Sequence, residues 1–101
     1  MIRHIVSWKL IAEDEAGKAA AAAEIAEALE ALPAHIPEVL ALSVSRNIAY
    51  PEKNFDIILV ADFKTLDGLD AYQVHPEHIK AAGVVGARVN ARACVDFEVE
   101  G

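Results

Sequence analysis

The sequence has little cysteine, little positive charge and no long apolar run. Cys94 is the single cysteine among 101 residues, so an intrachain disulfide and a CxxC redox or zinc motif are both excluded. No stretch approaches the roughly 18 consecutive apolar residues that a membrane-spanning helix needs. Lys and Arg number 9 against 16 Asp and Glu, and the net charge of −7 argues against binding to nucleic acid or to an anionic membrane surface.

The residues that are present predict one folded domain. A length of 101 residues is close to the usual domain size, so residues 1–101 are expected to form a single domain. Hydrophobic residues make up 54% of the chain and charged residues 25%, which excludes a disordered chain and indicates a surplus of apolar surface. The N-terminal residues lack the apolar region of a signal peptide, and a cytoplasmic location is therefore expected.

Four segments show the two-residue alternation of β-strands. The predicted strands are Ile2–Leu10, Val39–Ile48, Phe55–Phe63 and Ala91–Val99. The in-phase residues of the first strand are Ile2, His4, Val6, Trp8 and Leu10, and those of the second are Leu40, Leu42, Val44 and Ile48. Those of the third are Phe55, Ile57, Leu59, Ala61 and Phe63, and those of the fourth are Ala91, Ala93, Val95, Phe97 and Val99. The second and third strands are separated by a short turn and are expected to pair as a hairpin.

Three segments between the strands are predicted to be helical. An alanine-rich helix follows the first strand and stops at Pro33. A short helix begins after Thr65, which is a favourable N-cap residue. A further helix begins at Pro76 and runs to about Asn90, and its two internal glycines are expected to allow close backbone packing.

The order of elements is β-α-β-β-α-β, where the second helical region is broken near His75. It predicts an α+β fold of the ferredoxin-like type, with an antiparallel sheet and helices on one face. The other face of the sheet then has apolar residues with no helix to cover them. They are Ile5, Ile11, Val39, Ile58, Val60 and Cys94. Because so apolar an open face favours self-association, we expect a twofold homodimer that pairs sheet to sheet.

Five short segments resemble one known family. They are Met1-Ile2-Arg3-His4-Ile5-Val6, Ile36-Pro37, Phe55-Asp56, Ala71-Tyr72-Gln73-Val74-His75-Pro76-Glu77-His78 and Val95-Asp96-Phe97. They look like the stress-responsive dimeric A/B-barrel (Dabb) family, and the Tyr-x-x-His-Pro-x-His run is the most specific of them. The resemblance implies that two such domains pair into a dimeric α/β barrel, with a pocket in each subunit between sheet and helices. It fixes no reaction, because the family includes plant stress-induced proteins, polyketide cyclases and bacterial proteins of no known role.

Three residues are candidates for acid–base chemistry. His4 is predicted to point at the helices, where a buried imidazole either has a hydrogen-bond partner or carries chemistry. His78 lies in the first turn of a helix, whose dipole favours a neutral ring that can accept a proton. Tyr72 beside it can donate to a substrate carbonyl, and the pair resembles the tyrosine and histidine of the family's polyketide cyclases. The structural alternative is a satisfied core histidine at position 4 and a helix-junction staple at positions 72 and 78.

The pocket is expected to be lined by Trp8, Ile57, Leu59 and His75. The cyclases that this chain resembles have a histidine on the third strand where Ile57 stands, so the resemblance to them is incomplete and an apolar ligand pocket is favoured. No metal is expected, because the two histidines and Glu77 of the His-Pro-x-His run lack a well-spaced third ligand. No cofactor is expected either.

Two functions therefore remain open. The first is a homodimer that binds a small apolar or aromatic molecule in this pocket without catalysis. The second is a cofactor-free enzyme that uses His78, Tyr72 and His4 for cyclisation, isomerisation or lyase chemistry, or less readily for oxygenation. Cys94 is expected to be an inert residue of the dimer interface, and no role is assigned to Asp96.

Overall fold

The computed structural model describes residues 1–101 as a four-stranded antiparallel sheet with helices on one face. The strands are β1 (Ile2–Leu10), β2 (Val39–Arg46), β3 (Ile57–Phe63) and β4 (Val89–Glu98). The helices are α1 (Glu15–Glu30), α2 (Leu66–Val74) and α3 (Pro76–Gly86), and a short 3-10 helix covers Leu32–Ala34. The strand order in the sheet is β2-β3-β1-β4. This confirms the predicted ferredoxin-like fold, and none of its helices is long and apolar enough to cross a membrane.

Strand β1 lies in the middle of the sheet and supplies much of the core. It pairs with β3 on one side and with β4 on the other. Its residues alternate as predicted, because His4, Val6, Trp8 and Leu10 are all buried on the face that the helices cover. Ile25 and Leu29 of α1 pack against this face and are at most 3% exposed. The hydrophobic core therefore lies between α1 and the centre of the sheet.

A buried carboxylate fixes the end of β1. Asp56 is 6% exposed and precedes β3. Its Oδ2 atom accepts a hydrogen bond of 2.8 Å from the Leu10 amide, while its own amide donates to the Trp8 carbonyl at 2.8 Å. The ammonium of Lys18 on α1 lies 3.4 Å from the other carboxylate oxygen. One side chain thus ties β1, α1 and the segment before β3 together.

The helix boundaries depend on side-chain caps. Asp14 and Thr65 accept hydrogen bonds from the amides three residues later and begin α1 and α2. His75 ends α2 in an extended conformation, and its Nδ1 atom accepts from the Glu77 amide at 3.1 Å, which caps α3. Helix α3 ends at Gly86 rather than near Asn90. The expected close packing at its glycines is also absent, since nothing lies within 4 Å of a Cβ atom built at either one.

A one-residue bulge in β2 changes which residues face the core. Val39 pairs with Phe63 and Ala41 pairs with Asp62, so Leu40 is an extra residue between them. Val39 is therefore buried at 7% exposed, whereas Leu40 is 57% exposed. The sequence-based prediction had placed these two residues on the opposite faces. The strand also ends at Arg46, so Ile48 lies in the following loop.

The faces of β4 are the reverse of those predicted. Lys9 pairs with Ala91 and Leu10 pairs with Val89, which leaves Asn90 as a bulge before the predicted strand. Beyond Asn90 the pairing with β1 is regular, and Arg92, Cys94 and Asp96 face the helices, as the contacts of Cys94 and Asp96 with His4 show. The prediction that Cys94 lies on the open face was wrong. Its place there is taken by Val95 and Phe97, which are 62% and 40% exposed.

The open face of the sheet has a continuous apolar row. Val60, Ile5 and Val95 are direct cross-strand neighbours on β3, β1 and β4. Beside this row the Arg3 guanidinium forms two hydrogen bonds with the Asp62 carboxylate, at 2.9 and 3.1 Å. This ion pair holds the pKa of Asp62 below its usual value. A partner sheet would cover the apolar row and leave these charges already paired.

We predict that Asp56→Ala lowers the free energy of unfolding by about 2 kcal/mol, because the buried Leu10 amide loses its acceptor. Urea unfolding at one fixed protein concentration measures the effect. The control is Asp70→Ala, which removes an exposed carboxylate from α2 and should change stability by less than about 0.5 kcal/mol. Equal effects of the two substitutions would contradict a structural role for Asp56.

We predict that Val95→Lys yields a monomer at micromolar concentration in sedimentation velocity. The new charge lies in the apolar row of the open face, where a partner sheet would have to desolvate it. Val74→Lys is the matched control, since Val74 is 71% exposed on α2, on the helical side of the sheet. A dimeric Val95→Lys variant would show that the open face is not the interface.

Candidate functional site

A cavity lies between the helical face of the sheet and α2 and α3. Its volume is about 210 Å³. The lining residues are His4, Val6, Trp8, Leu29, Leu59, Tyr72, His78, Ala82, Val85, Gly86, Val89 and Arg92. Ala82, Gly86 and Arg92 are exposed, so the cavity opens between α3 and β4. A space of this size suits a molecule with a single ring better than a drug-sized ligand.

The cavity runs along β1 and has two unlike ends. His4, Val6 and Trp8 follow one another along this strand on the same face, so the cavity extends over about 13 Å. Tyr72 and His78 lie at the His4 end, where the His4 and Tyr72 ring centroids are 6.3 Å apart. At the Trp8 end the lining is apolar except for Arg92, the exposed cross-strand partner of Trp8. The groups that can exchange a proton with a ligand are therefore all at the His4 end.

His4 is held by a carboxylate on the neighbouring strand. Residues His4 and Asp96 are direct cross-strand partners, and the His4 Nδ1 atom lies 2.5 Å from Asp96 Oδ1. Because a carboxylate only accepts, the proton of this hydrogen bond resides on Nδ1 when the ring is neutral. The Nε2 atom then has a free lone pair. This arrangement orients the ring and makes Nε2 the available base, which is the role an aspartate has beside a catalytic histidine.

Tyr72 and His78 form the second half of the polar end. Their ring centroids are 4.4 Å apart. Burial raises the pKa of Tyr72 to about 12, so its hydroxyl is a proton donor at neutral pH. The His78 Nδ1 atom lies 3.1 Å from the Gln73 carbonyl, which can only accept, so the neutral ring has its lone pair on Nε2. Desolvation lowers the pKa of His78, and this favours the neutral ring.

Most of the residues predicted for the site lie together in the structure. His4, Trp8, Leu59, Tyr72 and His78 all line the cavity. Ile57 does not, although it pairs with Trp8, because it packs towards α1. His75 does not either, because its ring is used to cap α3.

Two residues of the site were missed in the sequence. Asp96 was assigned no role, and Arg92 at the mouth of the cavity was not considered. Their signal is that both charges lie on one face of the last strand, with Cys94 between them. Charged residues on one face of a strand usually indicate solvent, and here that face is the wall of the cavity.

Comparisons with known proteins agree on the fold. The family model of the stress responsive A/B barrel domain matches residues 2–99. A dimeric protein of unknown function with a ferredoxin-like fold, from Bacteroides fragilis NCTC 9343, is 34% identical, and the match covers 97% of this chain and 95% of that chain with a TM-score of 0.86. A dimeric ferredoxin-like protein of unknown function from Thermobifida fusca YX is 30% identical, with 97% and 90% of the two chains covered and a TM-score of 0.81.

A third solved structure shares the fold at low identity. A hydroxynitrile lyase from Passiflora edulis is 12% identical, with 98% of this chain and 93% of that chain covered and a TM-score of 0.74. At this identity the likeness shows the fold alone. A comparison with curated proteins found no match.

We predict that the His78 ring titrates with a midpoint below 6.5 in the folded protein, because desolvation disfavours its charged form. As the pH falls, the unfolded chain takes up this proton before the folded protein does. The contribution of neutral His78 to stability is therefore fully present above pH 6.5 and is lost as the pH falls from there through the lower, folded pKa. NMR titration of the ring measures the midpoint, and the urea-unfolded chain is the reference. A folded midpoint above the unfolded one would contradict the assignment.

Proposed function

We propose that this chain, which belongs to the family of stress responsive A/B barrel domains, is an acid–base enzyme for a small, mainly apolar molecule that has one carbonyl group. The observation that carries the proposal is the His4–Asp96 hydrogen bond at the polar end of the cavity. Because the carboxylate binds Nδ1 of the buried ring, Nε2 keeps its lone pair and can accept a proton from a ligand. The reaction class is proton abstraction next to a carbonyl, as isomerisation, cyclisation and lyase steps require.

Each polar residue has a defined part in this chemistry. The hydroxyl of Tyr72 donates to the substrate carbonyl and stabilises the oxygen as negative charge develops on it. Nε2 of His4 removes the proton from the adjacent carbon, and Asp96 stabilises the imidazolium that forms. His78, whose ring is neutral, accepts a hydrogen bond or relays a proton beside Tyr72. The apolar end of the cavity holds the rest of the substrate and excludes water.

Solved relatives support the assignment of this chain as a homodimer. Solved relatives at 34% and 30% identity are described as dimeric. The apolar row of Val60, Ile5 and Val95 is the surface we assign to the interface in this chain. The barrel formed by two sheets, the role in stress and the cytoplasmic location are likewise proposals that rest on the family and on the sequence.

A second candidate function is binding without catalysis. Eight of the 12 residues that line the cavity are hydrophobic, and this composition suits the carriage of an apolar or aromatic molecule. In that case the hydrogen bond between His4 and Asp96 would only satisfy the polar groups of the two side chains. The two functions differ in what happens to a bound ketone, because an enzyme of the proposed class exchanges the protons next to its carbonyl with water.

We predict that the protein accelerates exchange of the methyl protons of acetophenone with D₂O, measured by NMR. His4→Gln removes the base and should lower the rate about 100-fold or more. Asp96→Asn should also lower it, because an amide offers a donor and permits the tautomer with its proton on Nε2. Trp8 is the single tryptophan and lines the cavity, so its fluorescence reports acetophenone binding in every variant.

Two glycine variants serve as controls for the location of the reaction. Gly86 lines the mouth of the cavity, whereas Gly83 does not, and a Cβ atom meets nothing within 4 Å at either position. Gly86→Leu should therefore abolish both the change in Trp8 fluorescence on addition of acetophenone and the proton exchange. Gly83→Leu should leave both unchanged. Binding with no exchange above that of free imidazole would favour the second candidate function, and no binding at all would exclude both.

A further inference from the structure

Three unlike side chains meet at the edge of the cavity, and only one of their contacts is used by the proposed reaction. They are His4 on β1 and Cys94 and Asp96 on β4, and one ligand atom of each lies within 4.8 Å of the others. Cys94 and Asp96 are two residues apart and therefore share a face of β4. His4 is the direct cross-strand partner of Asp96, so the sheet itself holds the three groups together.

We infer that His4, Cys94 and Asp96 form a binding site for a thiophilic divalent cation, with Zn²⁺ as the ion that fits best. A thiolate, an imidazole nitrogen and a carboxylate oxygen are the three ligand types that zinc takes in proteins. The site does not rest on the proposed reaction. It was not expected from the sequence because Cys94 was assigned to the other face of the sheet.

The distances of the cluster suit tetrahedral zinc with one adjustment. Zinc bound to sulfur at about 2.3 Å and to nitrogen at about 2.0 Å places those two ligands about 3.6 Å apart. Cys94 Sγ lies 3.6 Å from His4 Nδ1, and 3.9 Å from Asp96 Oδ1. The His4–Asp96 contact of 2.5 Å is a hydrogen bond and has to lengthen to about 3.3 Å. Asp96 is the group that moves, since its side chain is 37% exposed whereas that of His4 is 5% exposed.

Charge and access are consistent with a cation at this place. The bound thiolate and carboxylate supply two negative charges to a divalent ion. Arg92 lies on the same face of β4, where its guanidinium contacts the Cys94 thiol and opposes the ion with a single charge. Its side chain is exposed, so it can turn into solvent when the ion binds. Three protein ligands beside an open cavity leave the fourth position of zinc for water or for a ligand group.

Metal binding and the His4–Asp96 hydrogen bond exclude each other. Both use the Nδ1 atom of His4, so the ion replaces the proton that this atom shares with Asp96. The imidazole is then locked by the metal. A chain of this sequence has two forms of the site, one with a proton and one with a metal ion at the same nitrogen.

Cobalt(II) is the probe that tests the site, because a thiolate ligand gives Co²⁺ a charge-transfer band in the near ultraviolet and tetrahedral geometry gives it intense visible bands. The reduced, full-length protein is titrated with CoCl₂ and then with ZnCl₂. We expect one Co²⁺ per chain with both bands, and their loss when Zn²⁺ displaces the cobalt. Cys94→Ser should abolish the charge-transfer band and weaken Co²⁺ binding by at least about 100-fold. Loss of a residue that only hydrogen-bonds to a metal ligand already lowers metal affinity about 10- to 100-fold.

His35→Gln is the matched control, because His35 is exposed and lies outside the cluster and the cavity. This variant should keep full binding and both bands. Cys94→Ala serves in place of Cys94→Ser if circular dichroism shows that the serine variant is unfolded. The inference is overturned if the wild-type protein gives no charge-transfer band, if Cys94→Ser binds Co²⁺ as tightly as the wild type, or if binding is lost in His35→Gln.

Discussion

The strict alternation of β1 is the constraint on which the rest of the molecule depends. This strand is paired on both edges, so its residues have only two directions to point. The residues at even numbers build the core and one wall of the cavity, whereas those at odd numbers build the open face. Shifting β1 by one residue would exchange the two surfaces completely, and Asp56 holds its end against such a shift.

A bulge on β4, which pairs with β1, adapts the sheet to these two surfaces. At Asn90 the extra residue lets Val89 and Arg92 both reach the cavity, although their spacing in a regular strand would place them on opposite faces. Beyond the bulge, regular pairing with β1 directs Cys94 and Asp96 to the side of His4 and leaves Val95 for the open face. The polar groups of the site and the apolar row of the interface therefore come from alternate residues of one short strand.

The sequence predicted the elements and the fold well because long periodic segments and a specific His-Pro run indicate them directly. It also placed His4, Tyr72 and His78 on elements that meet in space. The assignment of faces failed in β2 and β4. In β2 a bulge at Leu40 exchanges the faces of Val39 and Leu40 and leaves no mark on the alternation. The assignment of the pocket failed at Ile57, which packs towards α1, and at His75, which caps α3. In β4 the apolar residues were assigned to the core because a dimer interface and a core have the same pattern. Asp96 was missed because its face was assigned to solvent. Its partner His4 is 92 residues away in the chain, so the sequence alone does not show the pair.

The mouth of the cavity has a consequence for how such a domain diversifies. Ala82 and Gly86 are small, exposed residues of α3 on this rim, and Gly86 has no neighbour within 4 Å of an added Cβ atom. A single codon change at this rim alters the volume and shape offered to a ligand while the core and the sheet keep their residues. At these two positions a change of ligand preference is therefore separate from a change of core packing. A lineage with this architecture can explore new ligands in single mutational steps without first acquiring compensating substitutions elsewhere.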